Sequence, residues 1–192
     1  YLLKGQINSS YKKEINYNAI KKDTILVVTM NFKEMSLLQS VNSKVQAFYQ
    51  MPIKVESHPL PDFAYYKPRL RYRADSLIKY LKQINHNRYR FVAGLTSNDI
   101  SCNKDNIKDW GVCGLGSLDR CGCVTSTYRL KNNIDEKKLI ERLQKVVLHE
   151  IGHNHTLNHC TSPYPCFMKD ANGKVSSIDK EPMDISSICR SK

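Results

Sequence analysis

Long apolar runs are missing from this sequence of 192 residues. The run Thr24–Met30 near the start has the length of a buried strand, far short of the roughly 20 residues that a membrane-spanning helix needs. The sequence therefore predicts no membrane span. Apolar residues make up 41% and charged residues 25%, which is typical of a globular protein rather than a disordered chain.

Acidic residues are also scarce, with 18 Asp and Glu against 30 Lys and Arg, so the formal net charge is +12. A positive field of this size favours acidic partners. The basic residues are densest from Lys67 to Arg90, where Asp75 is the one acid. The segment contains no recognised nucleic-acid-binding module, so we interpret it as a solvated basic face and predict no specific nucleic-acid partner.

Cysteines, in contrast, are numerous: there are seven, at positions 102, 113, 121, 123, 160, 166 and 189. An odd number cannot pair completely within one chain. Such a set indicates metal binding in a cytosolic protein and disulfides in an exported one. Because the sequence begins at Tyr1 without an initiator Met, we expect a processed or trimmed start, and an exported protein stays open.

The apolar pattern predicts an α/β sandwich, because strands alternate with helices over the first half of the chain. Residues 1–22 are polar and predict a loosely held leader, and residues 23–192 predict a single domain, since no repeat or linker divides them. The predicted strands are Thr24–Met30, Ile53–Ser57, Arg90–Leu95 and Val124–Leu130, with short extended pieces at 110–116 and 122–130, and the predicted helices are Glu34–Tyr49, Tyr72–Ile84 and a long one after Asp135.

The long helix carries the candidate chemistry. Asp135 is a good N-cap, and the apolar residues that follow recur at helical spacing, at Leu139, Leu143, Val146 and Val147. The text from position 149 reads His-Glu-Ile-Gly-His. Positions i and i+4 share one helix face, so His149 and His153 can direct their imidazoles at one metal ion.

Glu150 follows the first of these histidines directly and lies about 100° around the helix from it. It can therefore reach a zinc-bound water without binding the metal, as a general base does in H-E-x-x-H hydrolases. His159 follows at the spacing of a third ligand, and Met168 lies downstream. The set predicts one catalytic zinc ion held by His149, His153 and His159.

The extended motif resembles the archaemetzincin family of metzincins, whose pattern is H-E-x-x-H-x-x-G-x-x-H-C-x4-C-x-M-x17-C-x-x-C. The pieces His159-Cys160 and Cys166-Phe-Met168 match its centre, and Ser186-Ser-Ile-Cys189 falls at its end. Further likeness lies upstream at Pro59-Leu-Pro61, Arg71-Tyr72, Gly94-Leu-Thr with Asp99, Trp110-Gly-Val and Ser126-Thr-Tyr-Arg-Leu130, so that the resemblance runs from about Thr24 to Cys189.

This resemblance implies a compact metzincin-like zincin fold, with a twisted mixed sheet, an active-site helix and a cysteine-containing C-terminal segment. It also implies that Ser126–Leu130 forms a sheet edge that binds extended peptides, and that Met168 forms a Met-turn beneath the three imidazoles. The implied substrates are peptides or proteins and the implied compartment is the cytoplasm. We expect a monomer.

The sequence departs from the family at Thr156, which stands where the motif has Gly. Gly suits that position because the chain turns sharply out of the helix with positive φ, a conformation that strains a β-branched residue. Either the turn is made elsewhere, at Asn154 or Asn158, or some strain is tolerated. His155 is two positions from His153 and is expected to point to another face.

A second departure lies in the cysteines that hold a structural zinc in the family. Cys160, Cys166 and Cys189 are present, but Ser186 replaces the remaining one, and five residues rather than four separate Cys160 from Cys166. Three states stay open: a three-thiolate zinc with an outside fourth ligand, a disulfide, or reduced thiols without metal. The remaining cysteines, at 102, 113, 121 and 123, can pair with one another in an oxidising compartment.

The predicted function is a zinc-dependent peptidase in which Glu150 assists the attack of water on a peptide bond. Two alternatives remain: a zinc hydrolase of another amide, and a catalytically weak zinc protein that acts through its basic surface. An intact Glu150 favours the enzyme, because zinc binding alone does not require a general base there.

Overall fold

The computed structural model of the protein describes residues 21–118 and 122–191. Residues 1–20 of the predicted leader lie outside the described residues, whereas Lys21 and Lys22 form the start of the first strand. In chain order the elements are β1 Lys21–Met30, α1 Met35–Tyr49, β2 Ile53–Ser57, β3 Tyr65–Tyr66, β4 Arg71–Arg73, α2 Ala74–Asn85, β5 Tyr89–Thr96, β6 Ile100–Lys104, β7 Ile107–Val112, β8 Gly114–Gly116, β9 Cys123–Ser126, α3 Glu136–Asn154, α4 Val175–Lys180 and α5 Ser187–Arg190.

The larger sheet has the order β2-β1-β5-β9-β8, with β8 antiparallel to β9 and the other pairs parallel. The apolar run predicted as a strand lies at its centre: Ile25 pairs with Ile53 on one side and with Phe91 on the other. A parallel sheet is covered on both faces, which explains why β1 is apolar along its length rather than alternating. The predicted mixed α/β architecture is confirmed.

Helices cover both faces of this sheet. Helices α1 and α3 share one apolar cluster with the β1 residues Ile25 and Val27, while α2 packs in a second cluster with Leu26 and Val28. The predicted helix after Glu34 is confirmed. Its buried residues are Leu37, Val41 and Val45, whereas Met35 at its start is 53% exposed.

A smaller sheet of four strands was not predicted, and it has the order β3-β4-β6-β7. Its strands are short and polar, and they carry several arginines of the basic segment. Arg71 forms ion pairs with Asp99 at 3.2 Å and Asp109 at 3.5 Å. Arg73 donates to Asn103 at 2.8 Å and lies 3.8 Å from Asp109. The interpretation of Lys67–Arg90 as a solvated face is therefore wrong for these two side chains, each of which is only 16% exposed.

The edge of the larger sheet beside α3 differs from the prediction. Strand β9 ends at Ser126, and Thr127–Leu130 forms a turn in which the Leu130 N–H donates to the Thr127 carbonyl. Moreover β9 is an inner strand, because the chain at Gly114–Gly116 returns antiparallel along its outer side. The sheet edge next to α3 is therefore β8. Among the described residues, no helix combines the length and apolar character that crossing a bilayer requires.

Candidate active site

Helix α3 supplies most of the candidate site, and its two ends are formed as the sequence suggests. The predicted N-cap is confirmed, since the Asp135 carboxylate accepts from the Lys138 N–H at 2.7 Å. At the other end, the Leu157 N–H donates to the Gly152 carbonyl and the Thr156 N–H to the His153 carbonyl, which is the Schellman pattern. Thr156 has φ of 67° and takes the left-handed position itself. The turn is thus made with the strained residue rather than at Asn154 or Asn158.

This turn returns the chain to the helix and brings three histidines together. One ring nitrogen each of His149, His153 and His159 lies within 4.8 Å of the others. The ring centroids are 4.6 Å apart for His149 and His153, 5.3 Å for His149 and His159, and 4.9 Å for His153 and His159. His155 lies outside the group, stacked on Tyr49 at a centroid distance of 4.7 Å.

Two of the imidazoles have a defined tautomer. His149 Nδ1 lies 2.7 Å from the Phe167 carbonyl oxygen, and His153 Nδ1 lies 2.7 Å from the Leu157 carbonyl oxygen. Because a carbonyl oxygen only accepts, each Nδ1 carries the proton and each Nε2 presents a lone pair. Burial lowers the pKa of both rings, that of His149 to about 3. Neighbouring imidazoles lower it further, His153 and His159 for His149, and His159 for His153. Both therefore stay neutral, as metal ligation requires.

The two Nε2 atoms lie 3.0 Å apart. Two lone pairs at that distance repel unless a cation lies between them. Ligand nitrogens about 2.0–2.1 Å from a tetrahedral zinc ion lie about 3.3 Å from one another, close to the spacing here. The donor set thus fits zinc, with His159 offering the third nitrogen. Its Nδ1 lies 3.9 Å from the Asp170 carboxylate, beyond hydrogen-bond distance.

Glu150 lies between the helix and β8. It is 6% exposed and accepts a hydrogen bond from the Gly116 backbone N–H, yet burial dominates and raises its pKa to about 8. Strand β8 approaches so closely that a Cβ on Gly114 would lie 2.4 Å from Glu150 Oε1. A Cβ on Gly116 would lie 2.6 Å from the Glu150 carbonyl oxygen. Only glycine allows the sheet edge to contact the carboxylate at these two positions, and neither glycine was singled out from the sequence.

Met168 is buried beside the histidines, in contact with α3 at Gly152. The segment that carries it is tied to the site on both sides: the Phe167 carbonyl accepts from His149, and the Met168 carbonyl accepts from the Cys160 N–H at 2.8 Å. Met168 therefore lies in a segment that contacts both α3 and the histidines, and its role as a Met-turn stays a prediction.

The C-terminal cysteines form a second group. The Sγ atoms of Cys160, Cys166 and Cys189 all lie within 4.8 Å of one another, and Cys166 and Cys189 are 3.8 Å apart as free thiols. The Ser186 hydroxyl lies 3.4 Å from Cys160 Sγ and caps α5 by accepting from the Cys189 N–H. Ser186 thus lies next to the three thiols, and its place as the missing ligand of a metal site stays a prediction.

Of the remaining cysteines, those that the structure describes do not join that group. Cys102, Cys113 and Cys123 are free thiols, and Cys121 lies outside the described residues. Cys102 and Cys113 line the cleft, where burial raises the pKa of both thiols, that of Cys113 to about 11. Such thiols stay protonated near neutral pH and are poor ligands.

The cleft runs between β8, the segment after Met168, and α3. Its walls include the three histidines and Glu150, together with Trp110, Lys145, Val146 and Ile178. Trp110 packs over Gly173, where an added Cβ would lie 3.1 Å from the indole ring, so that the β6–β7 hairpin and the segment after Met168 meet across the cleft. A groove with an accessible sheet edge and a histidine cluster at its floor can hold an extended peptide.

Comparison with known proteins agrees with this geometry. The model of peptidase family M54 matches residues 5–192. An archaemetzincin from Nanoarchaeum equitans is 32% identical over 160 residues, which cover 82% of this chain and 82% of its own. One from Saccharolobus solfataricus is 27% identical over 175 residues, covering 88% of this chain and 91% of its own.

Among solved structures, archaemetzincin from Methanopyrus kandleri superposes with a TM-score of 0.75 at 26% identity, over 88% of this chain and 92% of that one. The resemblance inferred from the motif is thereby confirmed. The chain belongs to peptidase family M54, the archaemetzincins, and is a zinc metallopeptidase.

Proposed function

We propose that His149, His153 and His159 hold the catalytic zinc and that Glu150 is the general base for peptide-bond hydrolysis. The observation that carries the proposal is the pair of Nε2 lone pairs 3.0 Å apart, with the Glu150 carboxyl on the next position of the same helix. A structural zinc would leave no reason to bury a carboxylate beside it.

Zinc, when bound, polarises water and the scissile carbonyl. Glu150 takes a proton from the attacking water and delivers it to the leaving amine, so that one side chain acts first as base and then as acid. Burial raises the pKa of this carboxyl, which makes its ionised form a stronger base for the first task. The Gly116 N–H holds the carboxylate in place.

Strand β8 presents the substrate. As the edge of the larger sheet it leaves backbone groups on its outer side, apart from the Gly116 N–H that donates to Glu150, and these can pair with an extended peptide. Its contact with Glu150 through Gly114 and Gly116 places that peptide next to the general base.

We also propose that Cys160, Cys166 and Cys189 bind a second zinc ion more weakly than the histidines bind the first. Three thiolates supply most of the charge of a structural site, but the fourth corner holds the neutral Ser186 hydroxyl. An outside ligand such as water completes the site less tightly than a thiolate.

Hydrolysis of a mixed peptide library tests the catalytic proposal, with zinc content measured in parallel and with a chelator control. Glu150→Gln is expected to keep one tightly bound zinc and to lose at least about 100-fold in rate. Glu136→Gln, on the first turn of the same helix, is the matched control and is expected to keep full activity.

A Glu150→Gln variant as active as the parent contradicts the mechanism. Peptide binding without hydrolysis, unaffected by that substitution, would instead favour the weak zinc protein that acts through a basic surface. The ion pairs of Arg71 and Arg73 disfavour that alternative, since they take two cations out of the surface.

A further inference from the structure

Lys145 is a buried lysine in the wall of the cleft. It lies one helical turn before His149 on α3, and spacing of four residues places both on the same face. The side chain lines the cleft beside Val146, and the residue is only 5% exposed. A lysine is seldom buried to this extent unless it is paired.

The pairing of Lys145 is incomplete. Its Nζ donates to Glu141 Oε1 at 2.6 Å and to the Ile178 carbonyl oxygen at 3.3 Å. An ammonium carries three N–H donors, so these contacts engage two of them. The Ile178 contact brings the ammonium to α4, which also lines the cleft.

The charges around Lys145 do not balance. Glu141 also pairs with Lys138 at 3.1 Å, Lys138 pairs with Asp179 at 3.3 Å, and Asp179 pairs with Arg142 at 2.7 Å. The connected network therefore contains three cations and two carboxylates. Lys145 is the member that lines the cleft, so a group bound there meets a network with one more cation than carboxylate.

The other carboxylates that line the cleft have contacts of their own, and Glu150 is held by the Gly116 N–H. Glu181 pairs with Lys169 at 3.7 Å and accepts from the Cys166 N–H at 2.8 Å. Asp170 lies against His159. Lys180 adds a further cation to the wall. The Lys145 ammonium already pairs with Glu141, and a ligand carboxylate would engage its third N–H donor.

We infer that the part of the cleft next to His149 binds a carboxylate of the substrate through Lys145. This deepens the proposed function and rests on it. Val146 and Ile178 provide apolar walls around the ammonium, which suits the side chain of Glu or Asp, or the C-terminal carboxylate of a short peptide. Both sources would present a carboxylate on an aliphatic stem to Lys145.

Matched peptides separate these two sources. One set differs only in the residue that follows the scissile bond, which is Glu, Gln or Leu, in otherwise identical blocked peptides. A second pair is identical except for a free or amidated C-terminus one residue beyond that bond. The parent is expected to prefer the carboxylate over its neutral isostere in one of these sets by about tenfold or more in kcat/KM, the scale of one charge-assisted hydrogen bond.

Lys145→Met keeps the aliphatic stem and removes the charge, so it is expected to abolish the preference while cleavage of the Leu peptide continues. Lys138→Met is the matched control, because it removes a cation from the same network at a position outside the cleft wall, and it is expected to keep the preference. Loss of the preference in both variants assigns it to the network as a whole and overturns the specific role of Lys145.

The two proposals fail in different ways. If the parent cleaves the Leu peptide and Glu150→Gln does not, the catalytic mechanism is supported whatever Lys145 does. A parent that shows no preference for carboxylate peptides then overturns only the Lys145 subsite. The affinities of the Glu, Gln and Leu peptides are also compared by their binding to zinc-loaded Glu150→Gln, which does not hydrolyse them. If Lys145→Met does not fold, the same peptides are compared in the parent and in Lys145→Arg. Equal binding of the Glu and Gln peptides contradicts the inference.

Discussion

Gly152 and Met168 are in direct contact beneath the histidine cluster. A Cβ on Gly152 would lie 2.5 Å from Met168 Sδ and 3.1 Å from its Cε, closer than non-bonded atoms approach. The glycine between Glu150 and His153 thus permits the segment after Cys166 to pack against α3. That segment also supplies the Phe167 carbonyl that orients His149.

Gly152→Ala is therefore expected to destabilise the protein by about 1–2 kcal/mol, because overpacking outweighs the gain in helix propensity. It is also expected to weaken zinc binding, since Phe167 must move with Met168. Chemical denaturation and competition with a chelator measure the two effects. The double variant Gly152→Ala/Met168→Ala relieves the clash, and if it binds zinc no better than Gly152→Ala alone, the steric explanation is wrong.

Thr156→Gly is expected to stabilise the protein by about 0.5–1 kcal/mol. Thr156 has φ of 67°, a left-handed conformation that strains a β-branched residue. Gly removes this strain, and the stability gained exceeds the stability lost because Gly makes the unfolded chain more flexible. Asn133→Gly is the matched control, because Asn133 has φ of 50° and asparagine tolerates that region. Urea unfolding of both variants gives the comparison, and a destabilised Thr156→Gly would show that the Thr156 hydroxyl contributes more than the strain removes.

Ser186→Cys is expected to raise the zinc content under reducing conditions towards two ions per chain. The new thiolate would lie next to Cys160 Sγ and close a site that three thiolates leave open. Ser187→Cys adds a thiol at an exposed neighbouring position and is expected to leave the metal content unchanged. If the unmodified protein already holds two zinc ions as tightly as Ser186→Cys does, another group is the fourth ligand.

The Arg142–Asp179 pair makes stability depend on pH. Two hydrogen bonds from the Arg142 guanidinium, at 2.7 and 2.9 Å, lower the pKa of Asp179 to about 2. A lowered folded-state pKa stabilises the protein above the unfolded value near 3.9, and this contribution is lost as the pH falls towards about 2.

Asp179→Asn is accordingly expected to be about 1 kcal/mol less stable than the parent at pH 7, the upper range for a partly exposed pair. The difference is expected to shrink as the pH falls below about 4. Urea unfolding of the parent and of Asp179→Asn, both freed of metal with a chelator, measures this difference in stability at a series of pH values. Asp62→Asn, at an exposed carboxylate, serves as the control, and a difference that does not change with pH would assign the effect to packing.

Local sequence was sufficient wherever neighbours along the chain decide the structure. The i, i+4 spacing of His149 and His153 placed both on one helix face, and Asp135 began that helix because its side chain caps its own first turn. The apolar run at Thr24–Met30 was recognisable because a strand covered on both faces has no polar alternation.

Contacts between distant segments were not recognisable in this way. The four strands of the smaller sheet are two to six residues long and polar, so their pairing depends on ion pairs such as Arg71 with Asp99 rather than on an apolar pattern. The wrong choice of Ser126–Leu130 as the sheet edge has the same origin, since a strand's own residues do not indicate whether another strand pairs along its outer side.

The sequence by itself determined the family, the alternating strands and helices, the helix with His149, Glu150 and His153, and the break in the cysteine set at Ser186. Only the tertiary structure decided that Thr156 takes the left-handed turn, that Gly114 and Gly116 bring a sheet edge against Glu150, and that Lys145 lines the cleft. The division follows from distance along the chain. Periodicity and capping act within a few residues, whereas the surroundings of a buried charge are set by segments far away in sequence.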